Sequence, residues 1–205
     1  MAQRTLYELL NGSETVIARQ RFVYYFVGGY PITPIWTIHN IAGSGGTQTM
    51  ADDGLKLLTG TSSSNNIQID FNNKRQYDYK SSRVIGCIKR VSVDNCFIDG
   101  GFKAGYGDDN NNLAFLHIEE YSSINGIFFQ TNAAKTDTGL STDLQWHNYD
   151  IELTPTSGIL SVHGSISVTR TADLPGANLQ PAFKMLTRIS AAAEGRVKYC
   201  EAMNT

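Results

Sequence analysis

Between Trp146 and Gly164 apolar and polar residues alternate on both sides of a break. Tyr149, Ile151 and Leu153 alternate with Asp150 and Glu152, a turn cluster runs from Pro155 to Gly158, and a second alternating run occupies 159–168. Successive side chains of a strand point to opposite faces, so this period of two predicts a half-buried antiparallel hairpin. The same reading predicts strands at 36–39, 54–58, 66–71, 83–90, 96–104, 113–118 and 126–130, then at 146–153, 159–168, 182–189 and 196–202. Clusters of Gly, Asn, Ser and Asp at 43–46, 62–66, 107–112 and 136–142 separate them. Many short strands with turn signals between them imply a two-sheet sandwich or a barrel.

The amino-terminal segment reads differently. Leu6, Leu9 and Leu10 stand at helical spacing ahead of Asn11-Gly12, which predicts a short helix over 4–10. A continuous apolar run follows, with Phe22, Tyr24, Tyr25 and Phe26 at its centre, ended by Gly28-Gly29 and Pro31. Such a run suits a strand covered on both faces, by the rest of the domain or by another subunit, and its exposure would invite association. Those four aromatic residues are the candidate assembly contacts. The organisation expected is therefore an arm or edge strand with a helix over 1–30 and a sandwich over 31–205.

Length and charge narrow the class. A chain of 205 residues suits one all-β domain, and at that size roughly 70% of the unfolded surface is buried without a disulfide or metal. The formal charge of −2 gives no long-range pull toward nucleic acid or an anionic membrane. Cys87, Cys96 and Cys200 lack Cys-x-x-Cys spacing and read as small core residues of a reducing compartment, with a Cys87 to Cys96 bridge as the lesser alternative. Arg4 and Glu8 interrupt the stretch where a secretion signal would be continuously apolar, and no segment approaches the about 20 apolar residues of a membrane span. Synthesis in the cytoplasm is expected.

The carboxyl-terminal half carries Trp146-x-x-Tyr149-x-Ile151-Glu152-Leu153, Leu160-x-Val162-His163-Gly164, Leu174-Pro175, Leu179-x-Pro181-x-Phe183 and Gly195-Arg196-Val197-Lys198-Tyr199. This series resembles the closing strands of concanavalin A-like lectin and laminin G-like jelly rolls. The amino-terminal half, with its segment from Trp36 to Gly43, the Thr59 to Thr61 turn and the strand from Ile69 to Tyr77, is similar to uncharacterised structural proteins of tailed viruses. The resemblance implies an antiparallel jelly-roll fold. It also implies a virion context, in capsid decoration or in a tail or fibre, with other virion proteins and copies of the chain itself as partners.

Chemical candidates are few. In the loop from Gly105 to Asn112, Asp108, Asp109 and Asn110 supply hard oxygen donors beside Tyr106, which could stack on a sugar, a combination that suits a calcium-assisted glycan site, although a plain loop is the favoured reading. The spacing matches no EF-hand, and such runs are also ordinary turn chemistry. Tyr77 beside Arg75, and Tyr121 after Glu119 and Glu120, offer further stacking rings with polar neighbours. The histidines at 39, 117, 147 and 163 show no metal-binding spacing, no Gly-x-Ser-x-Gly elbow occurs, and the Glu-x-Asp-x-x-Glu string of glucanases on this fold is missing. Glu119 and Glu120 are adjacent, so on a strand they point to opposite faces and cannot serve as a hydrolytic pair. Phe102 to Tyr106 resembles part of an alginate-lyase strand, but the companion elements of those lyases are missing. The expectation is a non-enzymatic virion structural protein with glycan adhesion, needing no cofactor or metal. A polysaccharide lyase or glycoside hydrolase on the same fold is the alternative.

Overall fold

The computed structural model describes residues 21–26, 35–42, 45–92, 94–106 and 111–205. The expected helix over 4–10 and the candidates Asp108, Asp109 and Asn110 lie outside these residues. In chain order the strands are β1 (Arg21–Tyr25), β2 (Thr37–Ala42), β3 (Thr47–Ala51), β4 (Gly54–Leu58), β5 (Asn66–Asp70), β6 (Ser82–Arg90), β7 (Cys96–Lys103) and β8 (Leu113–Tyr121). They continue as β9 (Ile124–Thr131), β10 (Ala134–Asp137), β11 (His147–Leu153), β12 (Gly158–Val162), β13 (Ile166–Arg170), β14 (Gln180–Thr187) and β15 (Glu194–Asn204). Among the described residues every strand pairing is antiparallel.

Two sheets result. The first runs β13-β12-β11-β6-β15-β4-β3, with β1 added along β15, and the second runs β10-β9-β8-β7-β14-β5-β2. Side chains from their facing sides form one core, in which Ile88, Tyr149, Ile151, Leu160 and Val197 of the first sheet meet Ile98, Leu116, Ile118, Phe129 and Phe183 of the second. Each of these large apolar groups contributes about 1.5–3 kcal/mol by leaving water, which is why alternation in sequence decides which side of a strand faces inward.

The expected hairpin is present, with Tyr149 opposite Val162 and Ile151 opposite Leu160. The run at 159–168 is not one strand, however. It divides into β12 and β13 at a turn where His163 (φ 54°) and Gly164 (φ 70°) adopt left-handed backbone conformations, so the alternating pattern continues on a strand running back. Two edge strands, β3 and β10, carry too few apolar residues to stand out in sequence.

The aromatic run at the amino terminus alternates as well. β1 pairs with β15 from Arg21↔Met203 to Tyr25↔Tyr199. Phe22, Tyr24 and Phe26 turn inward to a cluster with Trp36, Phe71 and Phe183, Phe22 lying 4.4 Å from Phe71 and Phe26 lying 5.2 Å from Trp36. Val23 and Tyr25 stay exposed, so the strand is covered on one face by its own chain. The three cysteines are free and buried, and burial pushes the Cys87 thiol up to about 11.

Candidate functional site

The outer face of the second sheet is assembled by strand register. Residues directly opposite each other on neighbouring strands point the same way. Pairing links His39 to Gln68, Gln68 to Lys184, Lys184 to Asp99, Asp99 to His117, His117 to Phe128 and Phe128 to Asp137. These residues form one transverse row across seven strands, spanning roughly 30 Å at ordinary strand spacing. A parallel row two positions away brings Gln130 beside Lys135, and another places Phe97 opposite Glu119.

A depression of about 230 Å³ opens on this face, lined by Ser64, Phe97, Asp99, His117, Gln130, Lys135, Lys184, Leu186 and Arg188. Its floor is a charge network. His117 Nδ1 lies 2.5 Å from Asp99 Oδ1 and its Nε2 lies 3.0 Å from Glu119 Oε2. Lys135 Nζ donates to Glu119 Oε2 at 2.7 Å and sits 2.8 Å from His117 Nε2, while Arg188 Nη2 donates to Glu119 Oε1 at 2.9 Å.

Burial and charge oppose each other here. Burial works against the imidazolium of His117, but the carboxylates of Asp99 and Glu119 outweigh it and raise its pKa above the ordinary histidine value. Burial equally favours a neutral Glu119, yet hydrogen bonds from His117 and Lys135 hold it well below the usual carboxylate range. A proton donor to a glycosidic oxygen needs a raised carboxyl pKa, and the contacts of Glu119 shift it the other way.

Toward β2 the same face carries a second polar group. His39 Nε2 lies 2.9 Å from Asp70 Oδ2, and Gln68 Nε2 donates to Gly105 O at 3.2 Å. The exposed ring of Tyr106 stacks on His39, 4.3 Å between centroids and 5° from parallel. Gln68 Oε1 and both amide atoms of Gln180 are buried with no hydrogen-bond partner among protein groups. Such atoms each cost about 1–3 kcal/mol unless water or a ligand pairs with them.

Of the candidates read from sequence, Tyr106 stands at one edge of this face. Tyr121 stands at the far end of β8 under the Arg188 guanidinium, 5.6 Å from its ring centroid. Tyr121 also borders an open depression of about 280 Å³ with Asp94, Asn95, Glu120 and Ser122, whose Glu120 is already held by Arg90 and Thr142. Tyr77 is a core residue, fully buried with its ring 5.4 Å from Phe102, and offers no face to a sugar. As expected, Glu119 and Glu120 point to opposite sides, Glu119 to His117, Lys135 and Arg188 and Glu120 to Arg90.

Sequence reading missed Asp99, His117, Gln130, Lys135, Lys184 and Arg188. A partial signal exists in β8, where His117 and Glu119 stand two apart and so share a face; in β7 Asp99 and Lys103 are four apart, with Gly101 between them. It also missed that the β11–β12 hairpin brings His147 Nδ1 to 3.1 Å from His163 Nε2, with Asp143 Oδ1 2.8 Å from His147 Nε2. Burial lowers the His147 pKa against the pull of Asp143. Among the described residues no group of three or more His, Cys, Asp or Glu is placed to hold a metal ion, and no helix is long and apolar enough to cross a membrane.

No protein-family model matches the chain, and no curated protein matches it. Solved structures do. A pseudo beta-1,3-glucanase and immunostimulatory antigen of Mycobacterium tuberculosis is 12% identical, with 90% of this chain and 98% of that one covered at a TM-score of 0.64. The exoplasmic/lumenal domain of VIP36 in its Ca2+/Man3GlcNAc-bound form is 10% identical, with 90% and 88% covered at 0.61. An apo transglycosylase is 11% identical, with 90% and 84% covered at 0.65. At these identities the likeness is one of fold, and the fold is the concanavalin A-like lectin and glucanase sandwich.

Proposed function

We propose that the chain is a non-enzymatic carbohydrate-binding sandwich whose ligand lies on the outer face of the second sheet, over the depression at His117. The observation that carries this reading is that Asp99, His117 and Lys184, buried polar and charged members of one transverse row, line an open depression. Burying charge is expensive, and ionisable groups with shifted titration lining a cleft are candidates for a functional site. The fold supports the ligand class, since structures with the same sandwich include a glycan-bound lectin domain and a pseudo-glucanase. The binding reading is favoured over hydrolysis because Asp99 and Glu119 are both paired with His117 and the contacts of Glu119 shift its carboxyl away from a proton-donor role.

The context we propose is a virion, as capsid decoration or part of a tail or fibre, on the strength of the similarity of the segments 36–43 and 69–77 to tailed-virus structural proteins. Assembly contacts then fall to the exposed side of β1, where Val23 and Tyr25 lie open and Tyr25 sits 5.9 Å from Tyr199, because Phe22, Tyr24 and Phe26 are used within the chain.

A glycan array probed with the chain and with its Gln130→Ala and Tyr106→Ala variants tests the site. Gln130 lines the depression and is uncharged, so its loss leaves no buried ion unpaired. Binding reduced by about tenfold in Gln130→Ala, with little change in melting temperature, is the expected result. Binding lost only in Tyr106→Ala moves the site to the loop at 105–112, and a blank array together with product release from a polysaccharide panel favours the enzyme alternative.

A further inference from the structure

The depression is layered by charge. Its carboxylates lie at the floor, with the Glu119 side chain 1% exposed and that of Asp99 6% exposed, whereas the side chains of Lys135 and Arg188 above them are 31% and 35% exposed. Lys184 also borders the opening but lies at the depth of the carboxylates, 5% exposed. What a ligand meets first is therefore cationic, although the chain as a whole carries a formal charge of −2.

Aromatic rings hold those cations in place. Lys184 and Arg188 lie over Phe97, at 5.7 and 5.1 Å from its centroid, Arg188 also lies 5.6 Å over Tyr121, and Lys135 lies 5.9 Å over Phe128. A ring face attracts a cation without neutralising it. Such contacts restrict the side chains, lowering the entropy lost when an anion docks, while each head group keeps donors for it. The two exposed cations, Lys135 and Arg188, add positive potential at the mouth of the depression.

Resting on the glycan reading of this face, we infer that the depression takes an anionic saccharide, seating a sugar carboxylate or sulfate between Lys135 and Arg188, which bridge over Glu119 and keep further N–H donors at the opening. Phe128 and Phe97 flank the position of the charged group, and Gln130 lies within the same lining for a sugar hydroxyl. The preference follows from charge already in place rather than from a rearrangement.

Calorimetric titration of the whole chain with a uronic-acid oligosaccharide, with the same oligosaccharide after reduction of its carboxyl groups to alcohols, and with a sulfated oligosaccharide of equal length tests this. The carboxylated probe is expected to bind at least tenfold more tightly than its reduced counterpart, with that advantage shrinking as salt rises. The Lys135→Gln and Arg188→Gln variants are each expected to lower the ratio of the two affinities severalfold. That ratio is unaffected by any fraction of protein that fails to fold. Binding by the sulfated probe identifies a general anion site, and its absence identifies carboxylate as the group recognised; both outcomes support the inference. Equal or tighter binding of the reduced oligosaccharide overturns it while leaving a glycan site in place. Binding of none of the probes, with a blank glycan array, overturns both.

Discussion

The two sheets share one core and differ on their outer faces. In the first, β11 alternates buried Tyr149, Ile151 and Leu153 with exposed Asn148 and Glu152, and β12 alternates likewise. Its charges form ion pairs at the surface, such as Arg83 Nε to Asp150 Oδ1 at 2.8 Å. In the second, β5, β7 and β14 are buried along their whole length, and Asp99, Lys103, His117, Glu119 and Lys184 are buried with them. An outer face needs only water-compatible side chains to keep a sandwich soluble. The first sheet meets that requirement and goes no further, whereas the second holds charge out of water around an opening, a cost that the proposed binding role would account for.

Mutation should separate the two faces. Glu119→Ala removes the acceptor shared by His117, Lys135 and Arg188, and is expected to cost about 3 kcal/mol of stability in denaturant unfolding. A cost near zero would mean the network is not formed.

The histidines give the next contrast. Because the folded pKa of His117 is raised above 6.5, its protonated form stabilises the fold. That contribution is full below 6.5 and is lost as pH rises through the folded value. The folded pKa of His147 is lowered from 6.5, so its contribution is present above 6.5 and is lost as pH falls toward the folded value. Imidazole resonances followed by NMR should therefore titrate above 6.5 for His117 and below it for His147, and the reverse order would break the contrast.

Smaller effects follow in the core and on the first sheet. The Tyr149 hydroxyl points from the first sheet into the core with no partner, close against Gly86 and Gly100. Tyr149→Phe is expected to raise stability by about 1 kcal/mol, since it removes an unsatisfied buried group. Asp150→Ala on the exposed face, breaking the pair with Arg83, should cost about 0–1 kcal/mol. A loss there as large as for Glu119→Ala would erase the distinction between the faces.

The same distinction explains what sequence could reveal. On the first sheet, alternation in β11 and β12 shows both strands and their inward faces, because one side meets water. On the second, strands such as Cys96–Lys103 read as mostly apolar, so the pattern reports a strand but not which side Asp99 occupies. The site itself depends on pairing between distant segments. Gln68, Asp99, His117 and Lys184 become neighbours only through register across β5, β14, β7 and β8, and no local spacing encodes that. The division at His163-Gly164 was hidden for a related reason, since an alternating run continues through a tight turn without changing its period.

Backbone amide shifts recorded during titration with an acidic oligosaccharide test the central claim most directly. The expected perturbations cluster at Phe97, Asp99, His117, Gln130, Lys184 and Arg188 and leave Asn148, Asp150 and Glu152 unmoved. Perturbations confined to the first sheet, or none at saturating ligand, would contradict the account.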